Sequence, residues 1–217
     1  MSVKFIEYWN LQPNKEEAFA KYLTGEWIPG MNELGITILA IWNILVGTGP
    51  QFVCEGIAED LQQIQEALRD ERHAQLNEGL FDYVDQYFSR VLTTTGLLPT
   101  LIGEPHHQAV KLNQFWDPRP GMEAGLRAFL TEEFAPALEE MGLVVGGYWK
   151  TLVGPRPHQK LEGRAGSLEE ALAVLHNTTF YELKGRLMDH VNHYDSQILN
   201  LKVVRVIGRA AVTYEYL

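Results

Sequence analysis

Cysteine is nearly missing from this chain. Cys54 is the single one in 217 residues, which rules out an internal disulfide framework. Long apolar runs are missing too, since none reaches the ~20 residues a membrane helix needs. The opening MSVKFIEYWN lacks the basic-then-apolar form of a secretory signal. Basic residues are scarce: 18 Lys and Arg face 28 Asp and Glu, a net charge of −10. That balance argues against general affinity for nucleic acid, whose phosphates demand clustered cations, and against adhesion to acidic membranes. No Cys pair, Gly-rich phosphate loop or GxSxG motif occurs, and no Ser/His/Asp set can be assigned from spacing. A soluble, cytoplasmic protein is the expectation, which makes the sequon at Asn177-Thr178-Thr179 irrelevant. What is present is an ordinary globular apolar content of 46%.

The most informative feature is an internal repeat. IWNILVGTGP at Ile41 to Pro50 returns as YWKTLVGPRP at Tyr148 to Pro157, an offset of 107 residues. The same offset brings Val3-Lys4 onto Val110-Lys111, Trp9 onto Trp116, Pro13 onto Pro120 and Glu55-Gly56 onto Glu162-Gly163. LTGEWIP at Leu23 to Pro29 meets LTEEFAP at Leu130 to Pro136. No gap is needed, and roughly three positions in ten are identical. The chain reads as a tandem duplication: repeat 1–99, linker 100–109, repeat 110–217.

Each half follows one pattern. VKFIEYWNL, residues 3 to 11, is a strand rich in aromatic and branched residues. Asn14 with Glu17 resembles a capping box. Phe19, Leu23, Trp27, Met31 and Leu34 give the following helix one buried face, and Gly35 stops it. The partners Leu126, Leu130, Phe134, Leu138, Met141 and Gly142 repeat this. ITILAIWNILV, residues 36 to 46, is apolar enough for a strand covered on both faces. A turn, a third strand to Ala58, a second helical region opened by Asp60/Gln63 or Ser167/Glu170, and a closing strand from Ser89 complete the half. The second helical region carries Leu76, Leu80 and Val84. The order β-α-β-β-α-β, twice, is the ferredoxin-like pattern. The fold class is therefore α+β, with two tandem repeats whose antiparallel sheets pack against each other into one intramolecular α/β barrel.

Three short motifs, each written twice, carry a family resemblance. One is Pro late in the first helix followed by Gly: Pro29 and Gly35, Pro136 and Gly142. The next is a Trp strand leading to Gly: Trp42 and Gly47, Trp149 and Gly154. The last is an aromatic-x-Ser-x-x-Leu opening of the closing strand, Tyr87 to Leu92 and Tyr194 to Leu199. The chain resembles the dimeric α/β-barrel superfamily, NIPSNAP-type proteins most of all. The resemblance implies the barrel fold and a pocket between sheet and helices. It also implies a company of cofactor-free monooxygenases, haem-binding enzymes and proteins without assigned chemistry. Fold alone does not assign function.

The expected function is binding of a small apolar or aromatic molecule in an aromatic-lined pocket, with no cofactor. The alternative is a cofactor-free or haem-dependent monooxygenase-like enzyme. A homodimer is compatible with either. The ligand is expected in the second half, near Glu133, Tyr148, Trp149 and Glu162. There Asn113, Tyr148 and Thr151 replace Ile6, Ile41 and Ile44, adding polar groups to apolar walls. Tyr148 and Trp149 are adjacent, so they point to opposite faces and only one can meet the helix. Glu26 and Glu133 lie beside Pro29 and Pro136, which free the carbonyls of Gly25 and Glu132 and kink the helix. Both read as pocket carboxylates or, as is commoner for Glu, as solvated flanks. Glu55 and Glu162 are bases if buried in a barrel. His158, Lys160, Glu162 and Arg164 alternate on one face, which reads as solvent-facing. Trp9, Trp42, Trp116 and Trp149 are core residues or ligand platforms. His190 and His193, three apart on a helix, with His176 are weak metal or haem candidates. His106-His107 reads as solvated linker.

Overall fold

A computed structural model describes residues 3–101, 105, 109–207 and 212–216. The first repeat runs β1 (Val3–Leu11), α1 (Glu16–Tyr22), a π-helical turn (Leu23–Trp27), α2 (Ile28–Glu33), β2 (Thr37–Val46), β3 (Phe52–Ala58), α3 (Leu61–Arg69), α4 (Glu71–Phe81) and β4 (Val84–Thr94). The second runs β5 (Val110–Pro118), α5 (Glu123–Phe129), a π-helical turn (Leu130–Phe134), α6 (Ala135–Glu140), β6 (Val144–Val153), β7 (Gln159–Ala165), α7 (Leu168–Leu175), α8 (Thr178–His190) and β8 (Val191–Ile207). A further strand, β9 (Val212–Tyr216), lies along β8. The architecture is the expected α+β pair of ferredoxin-like units.

The sheets meet edge to edge rather than as two stacked layers. The order β2-β3-β1-β4-β6-β7-β5-β8 closes on itself through β2–β8, so eight antiparallel strands form one barrel. The two joints are equivalent under the offset: Trp42 pairs with Leu201, and Thr94 with Trp149. Closure removes the open edges that a lone repeat would carry. The repeated glycines of the VG turns sit at these joints. Gly47 and Gly154 have φ of +118° and +129°, and a Cβ on Gly47 would lie 2.4 Å from the Ser196 carbonyl oxygen. Residues 1–99 expressed alone should therefore self-associate through β2 and β4. A monodisperse monomer by light scattering would contradict this.

Strand alternation divides the apolar residues into three cores. One lies under the helices of each repeat, around Phe19, Trp27 and Leu76 or around Leu130, Phe134 and Leu187. The third fills the barrel, around Ile6, Tyr8, Trp42, Trp149 and Leu201. All four repeated tryptophans are buried, Trp9 and Trp116 under helices and Trp42 and Trp149 in the barrel.

Several local expectations change. Asn14 does not cap: it has φ of 62°, and Lys15 takes the N-cap position without a side-chain bond. Asp60 and Ser167 do cap, accepting from the Gln63 and Glu170 amides. The closing strand starts at Val84, so Val84 is not helical. Pro29 and Pro136 each follow a π-turn, in which Ile28 N–H reaches Leu23 O and Ala135 N–H reaches Leu130 O. The wider turn makes room where a proline ring would strike the carbonyl four residues back. His190 ends α8, whereas His193 lies in β8 with φ of 54°, so the pair shares no helix face. His106-His107 falls outside the described residues.

Candidate functional site

Two polar centres emerge, one inside the barrel and one beneath α5. The first is built from alternate residues of β1, β3, β5 and β7. Lys4 and Lys111 occupy the same repeat position, as do Glu55 and Glu162. Their ion pairs cross between repeats: Lys4 Nζ lies 2.5 Å from Glu162 Oε2, and Lys111 Nζ 2.5 Å from Glu55 Oε2. Lys160 joins both carboxylates, at 2.7 Å from Glu162 Oε1 and 3.3 Å from Glu55 Oε1. Trp42 Nε1 donates to Glu55 at 3.1 Å, and Lys4 sits 4.2 Å from the Trp149 ring centre. All five charged groups are buried.

This overturns the solvent-facing reading of the β7 face. Lys160 and Glu162 point inward, Arg164 is partly covered, and His158 alone stands 44% exposed at the strand's start. Three ammonium groups face two carboxylates. Burial raises both carboxylate pKa values, yet the lysines outweigh it and hold both below the usual range. The surplus positive charge falls on Lys111, which burial pushes down to about 7 against the pull of Glu162 and Glu55. Burial also opposes the charge on Lys160, but Glu162 and Glu55 together hold it above its usual value. Carboxylates so firmly ionised are poor bases. In the sequence Lys4 and Lys111 stand out only as repeat markers, and Lys160 only as part of a face that reads as solvent-facing. For Lys4 and Lys111 the signal was a Lys repeated within an apolar strand at the same offset as the two Glu; Lys160 carries no such signal, since Val53 is its equivalent.

The second centre lies between α5 and the sheet. A cavity of about 290 Å³ is bounded by Leu126 and Arg127 of α5, Tyr148 and Lys150 of β6, Gln159 of β7 and Thr93 to Thr95. Tyr148 faces the helix, whereas Trp149 faces the barrel. The Tyr148 hydroxyl donates to Gln159 Oε1, and Trp116 Nε1 lies 3.2 Å from both oxygens. Burial pushes the Tyr148 phenol up, partly offset by the Trp116 bond and the Arg127 charge. An outer cleft of about 410 Å³ shares Lys150 and Gln159 and extends to Asp117, His158 and His193.

The cavity exists because the repeats differ here. In the first repeat the equivalents of Leu126, Tyr148 and Gln159 are Phe19, Ile41 and Phe52. These three pack together with Trp9 and Trp27. Exchanging two phenylalanines for Leu and Gln withdraws apolar bulk from the same place and leaves polar atoms on the walls.

Of the expected site residues, Tyr148 lines this cavity and Trp116 bonds its hydroxyl. Trp42, Trp149, Glu55, Glu162 and Asn113 lie among the buried residues on the barrel side, with no hydrogen-bond partner for either Asn113 side-chain atom. Glu26 and Glu133 are exposed, and Glu133 forms a two-pronged ion pair with Arg186. The His190 ring contacts Arg186 O and stacks on Phe129. Among the described residues, no group of three His, Cys, Asp or Glu is placed to hold a metal ion. A haem iron takes an axial His, Cys, Met or Tyr. Of these, the inner cavity presents only Tyr148 among its described residues, and that hydroxyl is engaged. The inner cavity therefore does not fit a haem.

No family model and no curated protein matches the chain. Solved structures do match. A candidate monooxygenase from Lactobacillus acidophilus aligns over 100% of this chain and 99% of its own, with TM-score 0.61 and 8% identity. An anthrone oxidase-like protein aligns over 92% and 90%, at 0.63 and 10%. A mutant chlorite dismutase from Candidatus Nitrospira defluvii aligns over 92% and 91%, at 0.63 and 9%. An uncharacterised NIPSNAP domain protein from Burkholderia xenovorans aligns with 46% of this chain, at 0.37 and 17%. The chain has the fold of the dimeric α/β-barrel proteins.

Proposed function

We propose that the protein binds a small molecule in the cavity between α5 and the sheet of the second repeat. The observation that supports this is the exchange of Phe19, Ile41 and Phe52 for Leu126, Tyr148 and Gln159, which opens one of two otherwise equivalent interfaces. Leu126, Leu97 and the Tyr148 ring offer apolar contact, and Tyr148, Gln159 and the threonines offer hydrogen bonds. Arg127 and Lys150 outnumber Glu123 at the rim, so the ligand is an apolar or aromatic molecule with an acidic end.

The test copies the first repeat into the second. Tyr148→Ile with Gln159→Phe should fill the cavity and abolish binding of any hit from a thermal-shift screen of aromatic acids. The variant should melt no lower than the parent, because the first repeat already packs these residues. Unchanged affinity in this variant would place binding elsewhere. An oxygen electrode run with each hit checks whether binding leads to oxidation, the chemistry in the name of the monooxygenase neighbour.

A further inference from the structure

At one mouth of the barrel, a cavity of about 150 Å³ lies where the two repeats face each other. Its walls come in pairs related by the 107-residue offset: Tyr8 with Phe115, Arg90 with Gln197, Phe88 with Asp195 and Pro50 with Pro157. It is separate from the cavity beneath α5 and shares no lining residue with it.

Arg90 is the unusual member. It is 8% exposed, yet no carboxylate of the described residues pairs with it. Its guanidinium carbon lies 5.5, 5.8 and 5.6 Å from the ring centres of Tyr8, Phe88 and Phe115. Nη2 and Nη1 donate to the backbone oxygens of Arg156 and Pro157, at 3.1 and 3.4 Å. Nε has no partner. The Tyr8 hydroxyl, 2% exposed as a residue, has none either. Gln197 donates through Nε2 to Thr48 O at 2.6 Å, which leaves its buried Oε1 without a donor. Asp195, the one acid on the wall, is already engaged by Thr48 Oγ1 at 2.5 Å and the Ser196 amide at 2.8 Å.

Three residues that wall one small cavity thus carry two donors and one acceptor without partners, and one of the three is a buried cation. Lys160, already paired with Glu162 and Glu55, lies 5.8 Å from the Phe115 ring centre. Buried polar groups without partners and buried charges without counter-ions are costly, and a ligand that answers all of them removes the cost. We propose that this mouth binds a compact monoanion that also carries an O–H group, such as bicarbonate or a two-carbon hydroxy acid. Its oxyanion accepts from Arg90 Nε and the Tyr8 hydroxyl, and its O–H donates to Gln197 Oε1.

The experiment is a melting curve at fixed ionic strength and pH 7.5 with sodium glycolate or bicarbonate, using acetate and nitrate as hydroxyl-free controls. One of the hydroxyl-bearing anions should raise the Tm saturably, by roughly 3–6 °C at tenfold excess over Kd. Arg90→Gln, which copies Gln197, should lose that rise. Tyr8→Phe, which copies Phe115, should weaken the affinity about tenfold and keeps the test open if the arginine variant does not fold. The Tyr148→Ile/Gln159→Phe variant should retain the rise. The proposal is overturned if neither hydroxyl-bearing anion gives a saturable rise, if both mouth variants respond like the parent, or if filling the α5 cavity removes the effect. An equal rise with acetate overturns the role given to Gln197.

Discussion

Glu162→Gln should lower the unfolding free energy by about 3–5 kcal/mol, measured by urea denaturation at pH 7. The substitution keeps the volume and removes the charge. It strands Lys4 and Lys160, which lie 2.5 and 2.7 Å from this carboxylate inside the barrel, with only Glu55 left to answer three ammonium groups. Removing one member of a buried ion pair costs this much because the remaining charge keeps its desolvation penalty. Lys160→Val is the informative companion. Val53 already occupies the equivalent position, and the change leaves two lysines and two glutamates in matched cross-repeat pairs. It should cost less than Glu162→Gln. A loss under about 1 kcal/mol for Glu162→Gln would mean that the cluster is not a dry ionic network.

Glu7→Gln should stabilise the protein at pH 8 and leave it unchanged near pH 4. Glu7 is buried under the helices of the first repeat and accepts from Tyr87. Burial pushes its carboxyl from 4.5 up to about 7, with the Tyr87 bond acting weakly the other way. Between those values the folded chain holds a proton that the unfolded chain has released. Stability therefore falls as pH rises through this window, by up to about 3 kcal/mol. An amide cannot ionise and escapes the loss. The second repeat shows that the amide fits, since Gln114 stands at the equivalent position and accepts from Tyr194 at 3.0 Å. Comparing variant and parent at each pH cancels other titrating groups, Lys111 among them. The same ΔΔG at both pH values would show that Glu7 titrates alike in the folded and unfolded chains and would refute the assignment.

Much of this molecule was legible along the chain. The 107-residue offset, the order of elements, Gly35 and Gly142 as helix stops, and β2 as a strand covered on both sides all follow from local pattern. So did the exchange of Ile41 for Tyr148, because a polar substitution within a repeat shows up against its own copy. Tertiary structure alone decided what each strand face meets. Period-two alternation separates two faces but does not say which one turns into a closed barrel. His158, Lys160, Glu162 and Arg164 therefore read as a wet face, although closure of the barrel buries Lys160 and Glu162 and brings Lys4, 158 residues away, onto Glu162. The cavity beneath α5 was hidden for a related reason. Phe19 and Phe52 meet only when helix and sheet pack, so the loss of both at Leu126 and Gln159 becomes an opening only in three dimensions. Sequence carries the repeat because identity is local. Charge burial, edge closure and cavities depend on contacts between different elements, which local pattern does not carry.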